Sequence, residues 1–386
     1  MNVLPVNKFG ALETPFYYYD VELLKNTVAS VLAEAGKYDG FHVHYAVKAN
    51  FNPRLLQIIS ATGLGADCVS GGEVQAALGA GIAPSKIVFA GVGKTEKEIR
   101  FSLAAGIFCF NVESLPEAEL INELAGECGR KAEIAIRVNP GVAAHTHANI
   151  TTGLAENKFG INYELLPEVI AEVQKMENLS LIGLHFHIGS QILDMEDFVA
   201  LCNRVNDIQD MLESDMGLQL PHLNVGGGLG IDYEKPLDNP IPDFAKYFAT
   251  YANCLKRREG QQVHFELGRS IVGQCGTLVT RVTYVKHGTC KKFVIVDAGM
   301  NDLVRPALYQ AYHEIDNLTS DATAEAYDVV GPICESSDVF AKDRMLSQTK
   351  RGDNLAIRSA GAYGEVMAST YNCRRLPQAH FTYGDE

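Results

Sequence analysis

The chain has 386 residues, of which 47% are hydrophobic, and it carries a formal net charge of −14. That length exceeds one ordinary core and implies two domains, and the apolar content supports a packed interior rather than disorder. An acidic balance with no block of basic residues argues against a nucleic-acid or anionic-membrane partner. Nine cysteines without a CxxC spacing read as reduced, cytoplasmic thiols and not as a disulfide or zinc framework. The N-terminal "MNVLPVNKFGALETPFYYYD" has no basic region followed by an apolar run, so neither a signal peptide nor a membrane span is expected.

From residue 21 onward helix and strand patterns alternate. "VELLKNTVASVLAEA" (21–35) has helical apolar spacing, and the strand "HVHYAVK" follows, ending on Lys48. A lysine on the inward face of a buried strand is costly unless it is paired, neutralised or chemically used. A helix bearing Leu55, Leu56, Ile58 and Ile59 precedes the strand "GADCVS" (65–70). The strands "KIVFAG" (86–91), "IFCFNV" (107–112), "EIAIRVNP" (133–140), "LIGLHFHIG" (181–189), "HLNVGGG" (222–228) and "QVHFELGR" (262–269) then alternate with amphipathic helices. Eight near-continuous apolar strands separated by helices predict a parallel sheet covered on both faces, as a (β/α)8 barrel over 21–270. A doubly wound open sheet is the structural alternative. After residue 270 the helices thin out. "TLVTRVTYVKH", "KKFVIVDAG", "YDVVGPIC" and "DNLAIRSAG" read as strands of a mostly antiparallel β domain, 271–386, with the strand-like "PFYYYD" of segment 1–20 crossing over to pair with it.

In a (β/α)8 barrel the chemistry sits at the C-terminal ends of the strands. Polar groups fall at that end in strand after strand: Lys48 and Asn50, Asp67, Arg137 and Asn139, His185, His187 and Ser190, the run Gly226, Gly227 and Gly228, then Glu266 and Arg269. Each has two readings. Lys48 is either a snorkelling or ion-paired lysine, or an amine nucleophile of the Schiff-base kind. The glycine run is either a tight turn or a cradle whose bare N–H groups approach a phosphate. Glu266 is either an ion-pair partner or a catalytic carboxylate. Three His-x-His pairs, 42/44, 145/147 and 185/187, keep a zinc hydrolase in view, although no further ligand set completes a metal site. A reactive lysine, a phosphate cradle, a flat imidazole and a carboxylate together suit pyridoxal phosphate.

At these residues the chain resembles the alanine-racemase-like, fold-type III pyridoxal-phosphate decarboxylases, in particular those acting on diaminopimelate. The matching segments run in order along nearly the whole chain: "YAVKAN" (45–50), "ADCVSGGE" (66–73), "TGLAENKFGI" (152–161), "GLHFHIGSQI" (183–192), "NVGGGLGI" (224–231), "ELGR" (266–269), "MNDLVRPALY" (300–309), "GPICESSD" (331–338) and "GAYGEVMASTYN" (361–372). The resemblance implies that Lys48 attaches the cofactor and His187 stacks on its ring. It implies that Asp67, Ser190, Gly226, Gly227, Gly228, Gly268, Arg269 and Tyr363 bind the cofactor, with Glu266 on the pyridine nitrogen. Cys334 matches a proton donor supplied by the neighbouring subunit of a homodimer with shared active sites. Arg269, Arg305, Tyr309, Glu335 and Tyr363 match substrate-binding positions.

The implied reaction is decarboxylation of meso-2,6-diaminopimelate to L-lysine and carbon dioxide. Chemistry agrees with it: a carboxylate at the ring nitrogen strengthens the electron sink, whereas racemases of this fold use an arginine there. The substrate's distal carboxylate suits the guanidinium forks of Arg269 and Arg305, and its ammonium suits Glu335. Decarboxylation of carboxynorspermidine, arginine or ornithine is the enzymatic alternative, and a catalytically silent binding homologue is a further one. Leu267 stands where many relatives have proline, and the short C-terminal segment suggests a curtailed last strand.

Overall fold

The computed structural model describes residues 4–142 and 158–382. His145, His147 and the beginning of "TGLAENKFGI" lie outside the described residues. The chain divides into two compact units, one of Val28–Gly230 and Asp243–Gly268, the other of Met1–Thr27, Ile231–Pro242 and Arg269–Glu386. Among the described residues no helix is long and apolar enough to cross a membrane.

The first unit is the expected (β/α)8 barrel. Its strands are Phe41–Ala46, Gly65–Cys68, Ile87–Phe89, Cys109–Val112, Ala132–Asn139, Leu179–His185, His222–Asn224 and Gln262–Leu267. They pair in parallel in that order, and the eighth closes on the first with Glu266 beside His44 and Leu267 beside Tyr45. Alternation decides which residues face inward. Phe265 and Leu267 are fully buried, and the Phe265 ring meets Tyr251 at 5.1 Å and Phe248 at 5.0 Å on the outer helices. The intervening His264 and Glu266 are thereby turned to the barrel interior. Leu267 packs without disturbing the ladder, so the replacement of proline is accommodated.

Helix ends carry conventional stops. Thr95 and Glu98 form a capping box ahead of Glu96–Ala105, and Gly106 closes that helix in the left-handed conformation. Asp194 caps the long helix Met195–Met216, which Gly217 closes in the same way.

Two local expectations change. The first strand stops at Ala46, and Lys48 lies on a short 3-10 turn, Val47–Ala49, with its side chain 34% exposed. The turn is held by Asn50 N–H on the Val47 carbonyl and by the Tyr45 hydroxyl on the Asn50 carbonyl. Lys48 is therefore a rim residue rather than a cation inside a strand. Likewise the sixth strand ends at His185, and His187 belongs to the irregular segment beyond it. The pair does not share a strand face.

At the opposite end of the barrel His44 Nε2 meets His264 Nδ1 at 2.9 Å, and His264 Nε2 meets His222 Nδ1 at 2.9 Å. Burial, first of all, lowers the pKa of His44 to about 4. This row of His44, His264 and His222 packs the barrel floor, and His42 is exposed beside it.

The second unit is a mixed, mostly antiparallel sheet. The twelve-residue strand Gly276–His287 is its hub, pairing antiparallel with Phe16–Tyr19, Lys292–Val296 and Asn354–Ile357. The "PFYYYD" segment thus crosses over as expected. Two strands escaped the sequence reading, Ile315–Asn317 and Val339–Ser347. Val339–Ser347 carries Lys342, Asp343 and Arg344 in its middle, which hides its period, and it forms because Ala324–Val330 pairs with it. The last strand spans only four residues and is parallel to Phe16–Tyr19.

Candidate active site

At the C-terminal rim of the barrel Lys48 Nζ lies 3.1 Å from Asp67 Oδ2. Asp67 is fully buried, and its Oδ1 has no partner among the described residues. Burial, then the nearby Glu266 charge, raise the Asp67 pKa. Glu266 takes the opposite course. Burial alone would raise its pKa, but the His185 imidazole, followed by Lys48 and His187, holds it well below the usual carboxylate range. The hydrogen bonds agree: Oε1 accepts from Asn224 Nδ2 at 2.7 Å and Asn111 Nδ2 at 3.2 Å, and Oε2 from His185 Nε2 at 3.1 Å. Three donors around one buried carboxylate keep it ionised.

His187 is half-buried. Burial first, then the charges of Lys48 and Arg137, lower its pKa well below the ordinary imidazole value. Its Nδ1 accepts the Gly227 N–H at 3.3 Å, so it presents a flat, neutral ring.

The glycine run is required by space as well as by any ligand. A Cβ on Gly227 would lie 1.8 Å from the Glu266 carbonyl oxygen, and one on Gly226 would lie 2.3 Å from the Phe186 carbonyl oxygen. Gly226 N–H is taken by Asn224 Oδ1, whereas Gly228 N–H donates to no described protein group. An open backbone amide, a flat imidazole, an ionised carboxylate and a strand-end amine are what a phosphorylated pyridine aldehyde needs at its four faces. The orphaned Asp67 Oδ1 also leaves polar capacity for a ligand. The residues fit the cofactor.

The β-rich unit holds a second cluster. Arg269 Nη1 donates to the Tyr233 hydroxyl at 2.6 Å, and its guanidinium stands 4.8 Å from the Tyr363 ring centre. Arg305 stands 5.2 Å from the Tyr233 ring and 5.8 Å from that of Tyr309. Arg305 is 5% exposed, and among the described residues no carboxylate lies within ion-pair distance of it. Burial, foremost, lowers its pKa. Its Nε donates to His313 Nε2 at 3.3 Å.

Cys334 and Glu335 are exposed in this same unit. Glu335 accepts from the Tyr371 hydroxyl at 2.5 Å and the Ser337 hydroxyl at 3.2 Å. Ser190 and Gly268 flank the barrel cluster in sequence. Gly268 is packed so closely that a Cβ would lie 3.0 Å from both Ala46 and Ala49.

Sequence reasoning missed Asn111, Asn224, Tyr233 and His313. Asn224 stands two residues before the glycine run, and Asn111 is the last but one residue of the fourth strand, so the strand-end rule could have found both. His185 entered as half of a metal pair. Its nitrogen is instead spent on Glu266, and among the described residues no group of three or more His, Cys, Asp or Glu side chains is arranged to hold a metal ion.

A (β/α)8 barrel with this rim defines the class of barrel enzymes that work through pyridoxal phosphate. The family model described as "Pyridoxal-dependent decarboxylase, pyridoxal binding domain" matches residues 25–273. A curated diaminopimelate decarboxylase of Bacteroides thetaiotaomicron is 62% identical over 378 residues, 98% of each chain. That of Aquifex aeolicus is 43% identical, covering 94% of this chain and 84% of its own. The crystal structure of diaminopimelate decarboxylase from Helicobacter pylori complexed with L-lysine superposes with a TM-score of 0.90 at 41% identity, over 97% of this chain and 93% of that one. The chain belongs to the pyridoxal-dependent decarboxylases and, among them, to the diaminopimelate decarboxylase family. It is a carboxy-lyase, and pyridoxal 5′-phosphate is its cofactor.

Proposed function

We propose that this chain decarboxylates meso-2,6-diaminopimelate to L-lysine and carbon dioxide, the last step of lysine biosynthesis. The observation that carries the substrate assignment is Arg305, a buried guanidinium walled by tyrosine rings with no carboxylate beside it among the described residues. A buried cation without a counter-ion is costly, and a substrate carboxylate relieves that cost. Relatives of up to 62% identity carry the same activity in their names.

When bound, pyridoxal phosphate supplies an electron sink for the pair left behind as the substrate carboxylate departs as carbon dioxide. Lys48 is the amine that attaches it, with Asp67 holding that amine in place. Glu266 keeps the proton at the ring nitrogen, and His185, Asn111 and Asn224 keep Glu266 ionised. His187 covers one face of the ring. The backbone of Gly226, Gly227, Gly228 and Gly268, with Ser190, receives the phosphate, aided by Arg269 and Tyr363. Arg305, with Arg269 and Tyr309, binds the distal carboxylate, and Glu335 binds the distal ammonium. Cys334 returns a proton to the substrate carbon and comes from a second copy in a homodimer. Residues 21–270 form the cofactor-binding domain, and 1–20 with 271–386 contribute to the site and to the dimer interface. The enzyme works in the cytoplasm.

The holoenzyme, given meso-2,6-diaminopimelate, is expected to release carbon dioxide and yield L-lysine by product identification. Preferred turnover of ornithine, arginine or carboxynorspermidine would sink this reading. Arg305→Ala is expected to lower kcat/KM for diaminopimelate by about 10²-fold, within the roughly 2–5 kcal/mol lost on removing one partner of a buried charge pair. Any residual turnover of ornithine is expected to be unchanged. Steady-state kinetics on both substrates checks it.

A further inference from the structure

The distal-carboxylate subsite contains a histidine with no assigned role. His313 is 1% exposed and lies eight residues beyond Arg305. Its Nδ1 stands 2.8 Å from the Arg358 carbonyl oxygen. A carbonyl only accepts, so Nδ1 carries the hydrogen. Its Nε2 faces Arg305 Nε at 3.3 Å. A guanidinium only donates, so Nε2 offers its lone pair. Both neighbours therefore select the same neutral tautomer. Burial, then the Arg305 charge, push the His313 pKa down to about 3, so that form persists through the working range.

We propose that His313 is a positioning residue: it tethers Arg305 by Nε, so that the guanidinium presents its two terminal nitrogens together to the substrate's distal carboxylate. This inference rests on the reading that Arg305 binds that carboxylate.

The tether leads into the sheet. Arg358 N–H donates to the Glu314 carbonyl at 2.8 Å, and Ile315 pairs with Ile357 in the antiparallel ladder. The Arg358 guanidinium is occupied by Asp316 at 2.7 Å. The short helix Arg305–Tyr309 ends at Gln310, whose φ of 53° turns the chain back so that His313 can reach Arg305. On the other side the Tyr233 ring stands 5.0 Å from the imidazole, edge to face, and 5.2 Å from Arg305. Fixing Nε leaves the Nη1/Nη2 edge as the binding fork. Neither terminal nitrogen has a protein partner among the described residues. A fork held in one plane meets both carboxylate oxygens, whereas an untethered arginine gives up rotamer entropy on each binding event.

Two ligands separate this role from general packing. L-lysine keeps the carboxylate at the distal end, and cadaverine lacks it. Each is titrated calorimetrically into the holoenzyme. In His313→Leu, L-lysine affinity is expected to fall about tenfold, with cadaverine affinity and the visible absorbance of the bound cofactor unchanged. KM for diaminopimelate is expected to rise more than kcat falls. His313→Gln, whose amide can accept from Arg305 and donate to the Arg358 carbonyl, is expected to restore L-lysine binding. His313→Asn, too short to reach Arg305, is not.

Equal loss for both ligands in folded His313→Leu, or no loss for either, overturns the proposal. Should the leucine variant not fold, equal L-lysine affinity in the Asn and Gln variants overturns it. Arg305→Ala separates the two levels. If it leaves L-lysine binding intact, the subsite reading itself fails. If it weakens L-lysine binding while His313→Asn binds L-lysine as tightly as the wild type, only the role of His313 fails.

Discussion

Lys48→Ala is expected to remain folded, to retain no visible absorbance after incubation with pyridoxal phosphate and gel filtration, and to lose carboxy-lyase activity by at least about 10³-fold. That loss corresponds to about 4 kcal/mol of barrier at 1.36 kcal/mol per decade. The reasoning starts from exposure. Lys48 sits on a rim turn with a 34% exposed side chain, so truncating it opens no core cavity. Its ion-pair partner Asp67 already has a raised pKa from burial and from Glu266, and removing the Lys48 ammonium takes away a charge that lowers it. The fold therefore survives and the chemistry does not, because no other described lysine stands beside Asp67. Circular dichroism, the absorbance spectrum and carbon dioxide release measured on one preparation check all three expectations. Wild-type-like absorbance in the variant would show that the cofactor is attached elsewhere.

Glu266→Gln is expected to lower kcat by about 10²-fold, in the range of a lost proton-holding group, and to destabilise the fold as well. The carboxylate accepts from Asn111, Asn224 and His185. An amide of the same shape replaces one accepting oxygen by a donating NH2 group. Turned toward Asn111 and Asn224 the NH2 group faces two donors, and turned toward His185 it requires the other imidazole tautomer, at a cost of up to about 1–3 kcal/mol. On the proposed reading, the charge that holds the ring-nitrogen proton is lost as well. Thermal melting and single-turnover kinetics separate the two effects. A variant with normal kcat would remove Glu266 from the ring nitrogen.

Much of the barrel was legible because its signal is local. Each strand is a short apolar run, and each helix has a cap or a 3.6-residue period. The rim could be read from the one rule that barrel chemistry collects at strand ends. Residues such as Asn111 and Asn224 were harder to see, since an asparagine at a strand end looks the same whether it caps a turn or holds a carboxylate 155 or 42 residues away. His185 illustrates the same limit: its spacing from His187 kept a metal pair in view, but the strand ends between them and the side chains serve different partners. Val339–Ser347 was missed because its stability comes from pairing with Ala324–Val330, not from its own composition.

The amino-acid sequence by itself determined the alternation of elements, the lysine after the first strand, the glycine run, and the order of motifs that places the chain in its family. These depend on neighbours within a few residues, where covalent geometry and hydrophobic period are decisive. Only the tertiary structure decided which way the charges lean. Glu266 is ionised and the Asp67 pKa is raised because one is surrounded by donors and the other is buried beside it. Arg305 has its Nε occupied because a histidine from beyond its helix accepts from it. Protonation and aim are set by contacts through space, and such contacts exist only once the chain has closed on itself.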